Sequence, residues 1–435
     1  MSTTLFDLAL LNPAIPQRLG DKIHWGNAGG TAGAMAIAEL ACKLAHSSVV
    51  IAPTMAEADR LESDLAHALK GAKNAPQIVH FADWETLPYD TFSPHQDIIS
   101  ARMRTLYQLA LDERCLIVVT AATLMQRIAP ASYILSNSLV VGTGDTLDIE
   151  KLQKGLVTAG YNKVDSVFQH GEFALRGAII DIYPMGADDA YRIELFDDEV
   201  DTLRTFDPES QRTIDNIDAV ELLPAREFPL DREGINRFLN NWHLLFDGAG
   251  DRSTLYKDVQ DGIAPQGIEY YLPLFFEHTA TLFDYLPESA LLFNCGDLEA
   301  KAGEFWQDVN ERYSEHGVDP QRPILPPAAL FLSVDQLFGG FKRWPTVILE
   351  RDASRAAHSD NLDCAALPAV AIDAKLAEPL TALQQFIGDH PDYRVLLCSE
   401  SAGRREALLQ LLHKAHVKPV EVASWGEFVA TDGPL

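Results

Sequence analysis

Short β-branched apolar runs alternate with helical periods through the first third of the chain. Ser48-Val49-Val50-Ile51-Ala52-Pro53 is too short for a helix and rich in branched side chains, which suits a strand covered on both faces. A helical period through Ala58, Leu61, Leu65 and Leu69 follows it. Cys115-Leu116-Ile117-Val118-Val119-Thr120, with a helix over Ala121 to Ile128, repeats the unit. The stretch from Leu5 to Ala45 reads as helical, and its small residues between Thr31 and Ala41 suit close packing. Strand and helix in alternation predict a doubly wound α/β layer. Between the units, Phe81 to His95 holds too much proline and too many aromatics for a regular element. Ser93-Pro94, with Gln96 three residues after the serine, has the pattern of a capping box with proline at the first helical position. It predicts a helix from His95 to about Leu111.

After about residue 138 strict alternation and tight turns replace the apolar runs. Gly177 to Tyr183, Tyr191 to Phe196 and Val200 to Phe206 read as three strands of an antiparallel meander. From 225 to 350 the pattern is mixed: an amphipathic helix from Asp231 to Phe246, an aromatic run from Tyr270 to Phe276, a strand from Ala290 to Phe293 and a proline-rich surface loop from Pro320 to Pro327. The tail resumes a βα form, with strands at Arg394 to Ser399 and Val420 to Val422 around a helix through Leu408, Leu411 and Leu412. The expected division is a first α/β part over 1–138, a β-rich domain over 139–224, a second α/β part over 225–350, and a linker with a small α/β unit over 351–435.

Composition narrows the function. With 435 residues, of which 47% are hydrophobic, the chain has material for several cores, and wholesale disorder is excluded. Its 63 acidic and 35 basic residues give a formal charge of -28. Such a chain as a whole repels polyphosphate, so tight sequence-independent nucleic-acid binding is not expected of it. The charge suits a protein partner with a basic face, or serves solubility alone. The 5 cysteines are scattered singly, mostly in apolar runs, and read as buried thiols; no C-x-x-C pair exists. The start MSTTLFDLALLNP has no basic and apolar leader pattern, and no apolar stretch approaches the roughly 20 residues that span a bilayer. A cytoplasmic protein is expected, with no membrane partner.

Most catalytic patterns fail. Gly26-Asn27-Ala28-Gly29-Gly30-Thr31-Ala32-Gly33 precedes a helix, but Ala32 and Gly33 stand where a phosphate loop needs lysine and a hydroxyl residue. The glycines then serve the close packing of a helix terminus. Glu194 to Glu199 superficially resembles a magnesium-holding acidic box, yet it lies between two alternating strands and reads as a solvated turn. The 13 histidines form no H-E-x-x-H or comparable metal spacing, and there is no G-x-S-x-G elbow. No catalytic residue, metal ligand or cofactor is expected.

Alternation in the meander is more informative. Ile193 and Leu195 share the core face, while Arg192, Glu194 and Phe196 share the other. An exposed aromatic beside an arginine is hot-spot chemistry. If a helix covers that face, Phe196 is ordinary core instead. Arg176 is a second arginine expected near this surface.

The segment Gly171-Glu172-Phe173-Ala174-Leu175-Arg176-Gly177-Ala178-Ile179-Ile180-Asp181-Ile182-Tyr183-Pro184 resembles the signature of the bacterial transcription-repair coupling factor family, and more loosely the related excinuclease subunit UvrB. Asp83 to Asp90, Ser93 to Ser100 and Phe206 to Thr213 support the same resemblance, which runs in order through nearly the whole chain. It implies a UvrB-like multidomain module: a degenerate RecA-like α/β layer, an inserted β-rich domain that binds UvrA, and a small C-terminal α/β unit. It implies that the chain is the N-terminal part of a longer ATP-dependent DNA translocase, whose RNA polymerase, double-stranded DNA and ATP sites lie in other domains. The family's UvrA contacts map onto Arg176, Arg192 and Phe196. In that picture the ring buries apolar area and the two arginines offer planar forks to carboxylates, on a face that the family's C-terminal domain masks in the intact protein. The competing readings are an active, ATP-dependent damage-loading helicase subunit like UvrB, and a purely structural spacer.

Overall fold

A computed structural model describes residues 6–16, 18–246, 252–365, 368–372, 378–399 and 401–430. Strands β1 (Lys22–Gly26), β2 (Ser48–Ala52), β3 (Gln77–His80) and β4 (Cys115–Thr120) come from the first part of the chain. The β-rich part holds β5 (Leu139–Gly142), β6 (Asn162–Lys163), β7 (Glu172–Arg176), β8 (Ile179–Tyr183), β9 (Ala190–Phe196), β10 (Glu199–Phe206), β11 (Thr213–Asn216) and β12 (Ala219–Leu222). The chain then returns with β13 (Leu291–Cys295), β14 (Thr346–Leu349) and β15 (Ser359–Asn361). One seven-stranded parallel sheet, in the order β15-β1-β14-β13-β2-β4-β3, unites the two α/β parts.

This sheet is buried on both faces, as parallel sheets are. Val49, Ile51, Ile117 and Val119 enter one core, while Val50, Ala52, Leu116 and Val118 enter the other. Helices α1 (Thr31–Lys43) and α2 (Met55–Leu69) cover the second face, and α3 (Gln96–Ala110) packs on the first. Strands β11-β10-β9-β8-β7-β6 form a second sheet, antiparallel except for β6 with β7, and β12 pairs with β5. This is a mixed α/β architecture with a parallel central sheet and a separate β-rich sheet.

Several local expectations are corrected. The stretch from Leu5 to Ala45 is not helical throughout, because β1 occupies Lys22–Gly26 between β14 and β15. Its partners lie more than 300 residues away in sequence, and of its own residues only Trp25 and Gly26 are buried. The helix expected over Ala121 to Ile128 stops at Leu124, since Gln126 and Ile128 pair with Phe331 and Ala280. Ser93 does not cap α3: its hydroxyl donates to Glu269 at 2.8 Å and accepts from the Gly267 N–H at 2.9 Å, and His95 caps the helix instead. In the tail, Arg394–Ser399 and Val420–Val422 form no strand among the described residues. There, helices Thr381–Asp389 and Ala402–Lys414 close a small core on Leu380, Leu383 and Leu412. Of the thiols only Cys115 is buried, and Cys398 is exposed. Among the described residues no helix is long and apolar enough to cross a membrane.

Candidate protein-interaction face

Strand β9 separates two environments residue by residue. Ile193 and Leu195 enter the main core beside Phe173, Ile180, Ile182 and Leu203. Arg192, Glu194 and Phe196 take the opposite face, as the period of two requires. No helix seals Phe196, whose exposure is 74%. It ends β9 opposite Glu199 of β10, with Asp197 in the left-handed region at φ 56° to make the tight turn between them. The reading of Phe196 as core is thereby removed, and the acids after it form a hairpin turn.

One end of this face carries a small satellite core of Val167, Ala174, Ala190 and Phe206, flanked by Val164 and Tyr183. Next to it, Asp181 of β8, Arg192 of β9 and Arg204 of β10 stand opposite one another in register. Asp181 is 1% exposed and binds Arg192 with both oxygens: Nε donates to Oδ1 at 2.6 Å and Nη2 to Oδ2 at 2.9 Å. The guanidinium also lies 5.1 Å from the Phe206 ring centre. The bonded carboxylate favours the charged guanidinium and raises its pKa above the ordinary arginine value. Only 17% of the Arg192 side chain is exposed. The expectation that both arginines hold out free forks is therefore corrected for Arg192, whose fork already grips Asp181.

Arg176 ends β7, a strand absent from the sequence reading, whose first meander strand begins at Gly177, and pairs with Ile179 on the same face. Its side chain is half-exposed. Nη2 donates to the Asp165 carbonyl at 3.0 Å and the Ser166 hydroxyl at 3.3 Å, and stands 3.8 Å from Asp181 Oδ2. Glu194 accepts from the Thr202 hydroxyl at 3.1 Å and lies 3.6 Å from Arg204 Nη1. The fold thus brings Arg176, Arg192 and Phe196 to one face and adds Asp181 and Arg204, which the sequence reading did not single out. A signal for Asp181 existed: a lone acid between Ile180 and Ile182, on the polar parity of its strand, calls for a cross-strand cation.

Away from this face, a crevice of about 350 Å³ lies at the glycine turn before α1, bordered by Glu57, Arg60, Cys295, Glu350 and Arg351. Gly30 is the N-cap at φ 63°, with no side-chain cap bond. A Cβ on Gly29 would lie 3.0 Å from Arg351 Cγ, and one on Gly33 would lie 2.7 Å from Leu349 Cδ2. The glycines are used for close approach of β14 and the segment after it, as the packing reading expects. Among the described residues no group of three or more metal-binding side chains gathers.

Comparison with known proteins places this face in a family context. A domain family described as "UvrB interaction domain" matches residues 139–228, and one described as "MFD, D3 domain" matches residues 386–435. The chain is 43% identical over 411 residues to the transcription-repair-coupling factor of Escherichia coli (strain K12), covering 94% of this chain and 35% of that protein. It is 40% identical over 418 residues to the namesake of Haemophilus influenzae, covering 96% and 36%, and 29% identical over 332 residues to that of Myxococcus xanthus, covering 73% and 27%. The chain spans about a third of the length of these curated relatives.

Proposed function

With this chain belonging to the transcription-repair coupling factor family, as its N-terminal UvrB-like region, we propose that it is a non-catalytic scaffold that recruits the excision-repair subunit UvrA to lesion-stalled RNA polymerase. The recruiting surface is the open face of the β7–β10 sheet, and its contact residues are Arg176, Arg192 and Phe196. The observation that carries this reading is the ring of Phe196, held out to solvent at a hairpin end inside the stretch matched by the UvrB interaction domain. A large aromatic on a rigid strand loses little freedom when a partner buries it, which is the economy of a hot spot.

The non-catalytic part of the reading is supported by Ala32 and Gly33 at the lysine and hydroxyl positions, and by Arg351 packed against the glycine turn. On this reading DNA translocation, ATP use and polymerase contact belong to other domains of the family; the chain aligns with about a third of its relatives' length. Phe196→Ala and Arg192→Ala are each expected to weaken UvrA binding by about 2 kcal/mol or more, measured by pull-down and titration with purified UvrA. UvrA retention by both variants equal to the parent overturns the assignment. ATP titrated into the chain is expected to give no binding heat, whereas saturable heat would favour a UvrB-like enzyme.

A further inference from the structure

Within the open face, Asp181 is the group whose position is hardest to account for as surface decoration. It is only 1% exposed, is flanked in its strand by Ile180 and Ile182, and pairs with Ala174 on β7. A carboxylate withdrawn from water needs full compensation. It obtains this from the two Arg192 bonds at 2.6 and 2.9 Å and from Arg176 Nη2 at 3.8 Å. Two of the three proposed contact residues therefore converge on one buried acid. Arg192 cannot swing toward an acid on another molecule without leaving buried Asp181 with no hydrogen-bonded cation and only Arg176 at 3.8 Å.

Resting on the UvrA reading above, we propose that Asp181 is the positioning residue of the face. Its carboxylate holds Arg192 over Phe206 and steadies Arg176, so that UvrA meets a fixed guanidinium on the sheet face that carries Phe196 instead of two mobile cations. Arg192 then serves as a shaped surface whose charge is already matched from below. Preorganisation of this kind lowers the ordering cost of association.

The two possible roles of Arg192 predict opposite signs. If Arg192 recognises UvrA by its free charge, Asp181→Asn releases the fork and binding stays the same or tightens. If Asp181 positions it, Asp181→Asn weakens UvrA binding at least about tenfold, as expected when one partner of a hydrogen-bonded charge pair is removed. The affinity of purified UvrA for the full 435-residue chain is measured below the melting temperature of every variant. The double variant Asp181→Asn with Arg192→Gln is expected to lose no more affinity than the worse single variant, because the two residues act as a unit. Unchanged or tighter binding by Asp181→Asn, or fully additive losses in the double variant, overturns the proposal. Should Asp181→Asn fail to fold, Arg192→Lys decides: it keeps the counter-charge but not the planar fork, so about tenfold weaker binding is expected and parent-like binding overturns. Phe196→Ala separates the levels. Parent-like binding there and in Arg192→Ala removes the UvrA reading itself, whereas a loss there with parent-like Asp181→Asn removes only the positioning role.

Discussion

Arg102 of α3 and Arg192 of β9 perform the same chemistry in different surroundings. Each grips one carboxylate with two nitrogens and lies over an aromatic ring. Arg102 and its partner Glu227 are fully buried. Arg102 also donates to the Ala82 carbonyl at 2.7 Å and to Gln126 Oε1 at 3.1 Å, with the Phe81 ring 4.4 Å away. It fastens α3 and the Phe81–His95 crossing to the segment that leaves the β-rich part. Arg192 sits at the rim of a small satellite core, on the same strand face as exposed Phe196. The contrast teaches that a forked ion pair is a fastener where every side is covered by the chain, and that where one side is left open it offers, on the reading proposed above, a surface to another molecule.

Arg102→Ala should make the largest change, because it strands Glu227 without a counter-charge in the interior. A loss of about 3–5 kcal/mol in unfolding free energy is expected from urea titration. Replacing both Arg102 and Glu227 by leucine should restore much of it, since an apolar pair carries no desolvation cost. A loss below about 1 kcal/mol in the single variant would mean that water reaches this pair, and the comparison with Arg192 would collapse.

Glu269 sharpens the comparison from the opposite direction, as a buried acid with no arginine fork. It accepts from the Ser93 hydroxyl at 2.8 Å, and burial raises its pKa from 4.5 to about 7. An acid whose folded pKa lies above its unfolded one holds extra proton in the folded state, so stability falls as pH rises from 4.5 to about 7. The decline attributable to Glu269 is at most roughly 3 kcal/mol. Glu269→Gln should remove that slope, seen as melting temperatures for the variant and the parent that diverge between pH 5 and pH 8. Parallel profiles would mean that the carboxyl is paired or wet after all.

How much of this was legible in the sequence follows from the range of the forces involved. Strands β2 and β4 declare themselves because both faces are covered, so all their side chains but Ser48 and Thr120 are apolar and the run stands out. Strand β1 is silent because its pairing is with residues 346–349 and 359–361, and backbone bonding leaves little trace in side-chain pattern. Phe196 was placed on the correct face by alternation alone, but alternation cannot say whether anything lies above that face. Ser93 shows the reverse error: a sound local capping signal was overridden by buried Glu269, which takes the hydroxyl from a position 176 residues away. The Asp181–Arg192 grip needs the register of β8 against β9, which is fixed by the hairpin and the core together.

The smallest expected effect is also the most exacting for the contrast between fastener and surface. With its ring 74% exposed, Phe196 contributes little to the chain's own packing. Phe196→Ala should therefore change unfolding free energy by less than about 0.5 kcal/mol, the range of surface substitutions remote from core and caps. The same variant is the one expected to lose UvrA. Binding lost with stability intact would separate recognition from folding at a single side chain. A stability loss above about 1 kcal/mol would instead mean that the ring packs on its own sheet in solution, and its availability to a partner would be lost with it.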